Sequence, residues 1–188
     1  MTQVILIVPD AGPLISLAKI DGLPILLRLG LPIYVVDQVS FEVTREKDRL
    51  PDARRIEEWI RAHPRDVNVF ETAVGRAAAA RRGAGEARQP GQGEAAIAEF
   101  LNRLEEVTGD ANAPALLLYE DSDVRKSRFV LPENIHVIST WGLRKGLERK
   151  GLVTSAAEVW AAIEAAGRKP AREHVDLPGA SGGRPTRW

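Results

Sequence analysis

Four short apolar runs, "QVILIV", "LPIYVV", "ALLLY" and "IHVIS", recur along this chain, and most of the sequence between them carries its apolar residues at helical spacing. An apolar run of this length without polar alternation is the pattern of a strand covered on both faces, as in a parallel sheet. With "DVNVF" as a fifth strand, the alternation of strands and helices predicts an α/β fold: a central parallel sheet with helices on both faces. Right-handed crossovers then start every helix at the C-terminal edge of the sheet, where such folds place their sites.

The connecting segments read as helices. "LISLAKI" is a short one, with Gly12 and Pro13 marking a tight turn and a first helical position before it. "DQVSFEVTREK" is a second, and in "PDARRIEEWIRAH" Ile56, Trp59 and Ile60 recur at helical spacing. "EAAIAEFLNRLEEV" and "TWGLRKGLERKG" follow, and "SAAEVWAAIEAAG" opens with the capping box Ser155 and Glu158. From Gly75 to Gly93, "GRAAAARRGAGEARQPGQG" has no apolar period, and it is expected to be a mobile basic loop with at most a helical turn in the alanines.

At 188 residues and 44% hydrophobic content the chain can bury one core, so a single domain over 1–167 is expected. Residues 168–188, rich in Pro, Gly and charge, are expected to form a disordered tail. Lys+Arg 26 against Asp+Glu 26 leaves a net charge of +0, so a polyanion would have to be met by local patches. The absence of cysteine excludes disulfides and thiolate metal sites and fits a reducing compartment. The opening apolar run is too short to span a bilayer and is broken by Pro9 and Asp10. The expectation is a cytoplasmic protein with no membrane association.

Carboxylates are placed unusually. Asp10 directly follows the first strand, and Asp121 lies just past "ALLLY". Glu94 stands in the first turn of the helix that leads into "ALLLY", and Glu42 within the helix after the second strand. The alternation of elements predicts that these four acids converge at one edge. Two unit negative charges about 4 Å apart repel by roughly 4 kcal/mol at a surface-like dielectric, so such a cluster requires a cation or protons. Oxygen-only ligands select a hard ion, Mg²⁺ or Mn²⁺, and metals held this way suit phosphoryl chemistry. Each acid also has a simpler reading: Glu94 as a partner of its helix dipole, Glu42 as a solvated helix residue, Asp121 as an N-cap.

Competing patterns fail on context. "GQGEAA" fits a dinucleotide fingerprint on paper, but "GEARQP" precedes it where a strand is required. An aspartyl phosphatase would want an acid where Gly12 stands, and a phospho-receiver a Lys that "VISTWG" lacks. His63, His136 and His174 are scattered. Trp141 and Trp160 are read as packing residues.

In order along the chain, five segments resemble the PIN-domain family: "VPDAGPLISLAKIDGLPILL", "VSFEV", "GQGEAAIA", "LLLYEDSDVRK" and "VISTWGLRKGLERKGLV". The resemblance implies a PIN-like three-layer α/β/α sandwich. It implies a Mg²⁺- or Mn²⁺-dependent endoribonuclease acting on single-stranded RNA, commonly the toxin of a toxin–antitoxin pair of the VapC type, with an antitoxin protein as partner and dimers common. Asp10, Glu42, Glu94 and Asp121 match the family's acid quartet, and Asp123 an additional acid. Asp10, Glu94 and Asp121 would hold the metal, and Glu42 would position or deprotonate the attacking water or hold a second ion. Thr140 is read first as an N-cap and second as a group orienting water or phosphate. Ala11 departs from the Ser or Thr found in many members, and the segment 75–93 is longer and richer in arginine. Its Arg76, Arg81, Arg82 and Arg88 read either as a clamp on RNA backbone or as a solvated loop. The rival reading is a PIN-like RNA- or protein-binding module without catalysis.

Overall fold

The structure, a computed structural model, describes residues 4–120 and 131–168. The chain runs through β1 (Leu6–Pro9), α1 (Ala11–Ala18), a 3-10 helix (Leu23–Leu29), β2 (Ile33–Val36), α2 (Asp37–Thr44), α3 (Pro51–Ala62) and β3 (Val67–Phe70). It continues through α4 (Ala73–Gly83), α5 (Gln92–Leu101), α6 (Glu105–Thr108), β4 (Ala115–Tyr119), β5 (Ile135–Ser139), α7 (Thr140–Arg149) and α8 (Ala156–Ala165). The four apolar runs and "DVNVF" form the five strands of one sheet in the order β3-β2-β1-β4-β5. Every pairing is parallel, and helices flank the sheet, so the architecture is the expected PIN-like α/β/α sandwich.

The uniform direction follows from burial. Leu6, Ile7 and Val8 of the central strand are all buried, so no face of β1 tolerates polar side chains. Phe100 of α5 is fully buried; it stacks on Tyr34 of β2 with centroids 5.3 Å apart and meets Phe70 of β3 edge-on at 4.8 Å. At the far side, Trp141 and Trp160 pack edge-to-face and tie α7 to α8.

Three local expectations are corrected. First, residues 73–83 form an 11-residue helix, α4, where the Arg- and Gly-rich composition suggested a mobile loop. Alanine has the highest helix propensity, and the first amides of α4 are all held. The Thr72 hydroxyl accepts from the Gly75 N–H at 2.9 Å, while Glu99 accepts from Ala73 and Val74 at 2.7 and 3.0 Å. Thr72 in turn donates its N–H and hydroxyl to Asp37. Side-chain capping from α5 and from the end of β2 therefore orders a helix that lacks an apolar stripe.

Second, Gly12 and Pro13 do not form a turn. Helix α1 already starts at Ala11, and a Cβ at Gly12 would lie 2.9 Å from the Glu120 Cβ. The glycine permits close approach of α1 to the end of β4. Third, Ser139 is the N-cap of α7, accepting from the Gly142 N–H at 3.1 Å. Thr140 is buried, its hydroxyl without a partner among the described residues.

Candidate active site at the sheet edge

The chain builds β1, β2 and β3 outward in one direction, then returns to place β4 on the other side of β1. The strand order therefore reverses between β1 and β4, the kind of switch point at whose C-terminal edge open α/β sheets bind ligands. Asp10 is the first residue past β1. Its N–H donates to the Leu118 carbonyl of β4 at 2.9 Å, which fixes the backbone at this point. Asp10 occupies the N-cap position of α1 but makes no capping hydrogen bond to it, so its half-buried carboxylate is not explained as a helix cap.

Glu42 lies on α2 with its side chain 16% exposed. It faces the first turn of α5: a Cβ on Gly93 would stand 3.3 Å from one Glu42 oxygen. Two segments that the sequence marked separately, "VSFEV" and "GQGEAA", thus meet, and Glu94 follows directly on Gly93 in that turn. Glu42 is also held by neighbours. Arg88 donates to its Oε1 at 2.6 Å and Gln38 to the same oxygen at 3.3 Å.

Asp121 and Asp123, expected as the fourth and an additional acid, lie outside the described residues. Asp10, Glu42 and Glu94 present the oxygen donors that a hard divalent ion prefers. They are not gathered into a closed cage: among the described residues no three His, Asp or Glu side chains form a group able to hold a metal. The described acids fit such an ion in the kind of donor they offer.

Two acids at this edge were not singled out from the sequence. Glu120 directly follows β4 and is 7% exposed. Its Oε2 accepts from the Ser16 hydroxyl at 2.6 Å and from Arg168 at 3.2 Å, and Arg168 also donates to Ser16 at 3.0 Å. Its Oε1 has no partner among the described residues. Arg168, where the tail was expected to begin, thus reaches back to the sheet edge; residues 169–188 lie outside the described residues. Asp37 directly follows β2 and accepts from Thr72 and from its neighbour Gln38, latching the ends of β2 and β3. A Cβ on Gly75 would collide with its carboxylate. The signal for both was available: like Asp10, each is the first residue after an apolar run.

The arginines of the segment 75–93 divide. Arg82 donates to the Gln38 side-chain oxygen at 3.1 Å and lies 3.6 Å above the Phe41 ring. Arg88 reaches Glu42, and Arg76 is exposed. Behind α4, Glu99 is pushed up by burial, yet the amides of Ala73 and Val74 and the Arg103 guanidinium outweigh this and hold it below its ordinary value. It is ionised at neutral pH and matched to the positive end of α4.

Residues 6–88 match a family model described as a PIN domain. The match covers fewer than half of the 188 residues, takes in Asp10, Glu42 and Arg88, and ends before Glu94. It supports a PIN-domain protein, and PIN domains are generally nucleases that use divalent metals. Comparison with curated proteins and with solved structures returns no match. Among the described residues no helix is long and apolar enough to cross a membrane.

Proposed function

We propose that this PIN-like chain is a Mg²⁺- or Mn²⁺-dependent endoribonuclease that cleaves single-stranded RNA and serves as the toxin of a toxin–antitoxin pair in the cytoplasm. One observation carries the reading: within the segment that matches the PIN-domain model, Asp10 stands directly past β1 at the reversal of strand order. The approach of Glu42 to the first turn of α5 adds to it.

Asp10 and Glu94, with Asp121 and optionally Asp123, are the residues proposed to hold the ion, and Glu42 to orient or deprotonate the attacking water or to hold a second ion. A divalent ion there supplies an activated water and neutralises charge developing on the scissile phosphate. The chain's own share is positional. Asp10 is fixed by its backbone bond to β4, and the arginines of the segment 75–93, Arg88 of them against Glu42, would offset the acids where an RNA backbone approaches. An antitoxin protein and a second copy of the chain are the proposed partners.

A second reading, a PIN-like RNA- or protein-binding module without catalysis, is favoured by the pairing of Glu42 with Arg88. Purified protein and the Asp10→Asn variant, incubated with structured and unstructured RNA in Mg²⁺, Mn²⁺ or EDTA, separate the two. Cleavage of unstructured RNA that requires the ion and is lost in the variant is expected. Absence of cleavage under every condition would favour the binding module, and cleavage that persists in EDTA or in the variant refutes the proposed mechanism. Expression is further expected to arrest growth unless the antitoxin is co-expressed; harmless expression of active enzyme would remove the toxin role and leave the nuclease.

A further inference from the structure

Among the acids of the candidate site, Glu42 is held by side chains of its own surroundings. Its Oε1 receives two donors, Arg88 at 2.6 Å and Gln38 at 3.3 Å. Gln38 sits one helical turn before Glu42, and its own side-chain oxygen receives Arg82 at 3.1 Å. Arg82 is fixed in turn on the Phe41 ring. The result is a chain of contacts, Arg82 to Gln38 to Glu42 to Arg88, lying on one side of α2. The two arginines come from the end of α4 and from the segment joining α4 to α5, so one basic stretch grips a single helix at two points. A guanidinium held this closely neutralises charge that a cation bound to the same carboxylate would otherwise neutralise, so the two compete.

We infer that Arg88 is an internal counter-cation for Glu42, competing with a divalent ion for the charge of the same carboxylate. The inference rests on the metal-dependent reading above. Arg88 is a positioning residue here: it acts through Glu42, and its withdrawal accompanies metal binding. With the Arg88 side chain 44% exposed, the pair is held weakly, as exposed ion pairs are. It can be displaced by an ion, or drawn away by a phosphate of an approaching backbone.

The test is Mn²⁺ binding to the full chain, read by titration calorimetry and by loss of the free-ion electron paramagnetic signal, with no RNA present. Arg88→Gln is expected to tighten Mn²⁺ binding by about two- to five-fold, the range an exposed ion pair allows. Arg88→Lys, which keeps the charge, is expected to stay near the parent value. In a Glu42→Gln background the Arg88→Gln change is expected to have no effect, since the negative charge the two cations compete for is gone. Equal affinities for parent and Arg88→Gln, or equal tightening by Gln and Lys, overturn the inference while leaving the nuclease standing. Failure of every variant to bind Mn²⁺ overturns it together with the metal-dependent reading. Thermal melts of each variant, expected to match the parent within a few degrees because Arg88 is on the surface, confirm that the comparison is between folded proteins.

Discussion

Arg144, on the inner side of α7, is fully buried, and none of its three guanidinium nitrogens has a hydrogen-bond partner among the described residues. Burial pushes its pKa from the ordinary 12.5 down to about 10, and the charge of Glu148 one turn on offsets this only partly. At about 1.4 kcal/mol per pKa unit, that depression corresponds to a penalty on the order of 3 kcal/mol for keeping the side chain charged. An apolar side chain of similar volume carries no such desolvation penalty, though it loses part of the packing of the longer arginine stem. Arg144→Met, which keeps an unbranched side chain, is therefore expected to stabilise the fold by about 2 kcal/mol. For a chain of this size that is roughly 4–8 °C in Tm, read by circular dichroism or by denaturant midpoint. The pH dependence supplies a second reading. A base with a depressed folded-state pKa carries its full penalty wherever it is charged in both states, and the penalty is relieved only as pH rises through about 10 towards 12.5. The difference between parent and variant should therefore be flat from about pH 6 to 9. A Tm unchanged or lowered by Arg144→Met would refute the reasoning and reveal a partner that stabilises the guanidinium.

Gly12→Ala brings a Cβ within 2.9 Å of the Glu120 Cβ. The steric cost of about 1–3 kcal/mol should outweigh the roughly 1 kcal/mol of helix propensity gained, and a Tm equal to or above the parent's would sink this account of the glycine. Ser16→Ala removes the 2.6 Å donor from the buried carboxylate of Glu120 and should cost about 1–3 kcal/mol in a denaturant titration. Glu99→Gln weakens the cap on α4 and is expected to cost about 1 kcal/mol at pH 7, with faster amide exchange at Ala73 and Val74. Because the Glu99 carboxyl is held below its ordinary value, its contribution is present above about pH 4.5 and is lost as pH falls through the folded-state value. Parent and variant should converge in acid, and a difference that grows on acidification would contradict the assignment.

Much of the fold is legible because strand and helix signals are local. "QVILIV" and "ALLLY" are apolar without alternation, which only a strand covered on both faces tolerates, and their separation by helices requires crossovers and hence a parallel sheet. The placement of Asp10 at the sheet edge follows from the same logic. Helix α4 was hidden because nothing in its own apolar pattern holds it: Asp37 lies 35 residues before Thr72, and Glu99 some 25 residues after the amides it caps. Gly12 was misread for the same reason, since its reason for being glycine is a side chain on β4.

By itself, then, the sequence determined the order and kind of nearly all the elements and the position of Asp10 directly past the first strand, because hydrophobic period and punctuation act over a few residues. Only the tertiary structure decided whom each acid meets. Ser16 and Glu120 are 104 residues apart, and Arg88 and Glu42 are 46; no periodicity encodes such pairs. They arise when strand register and crossover geometry bring side chains within hydrogen-bonding reach, and a pairing of that kind is sensitive to shifts of a few ångströms that leave the pattern of strands and helices unchanged.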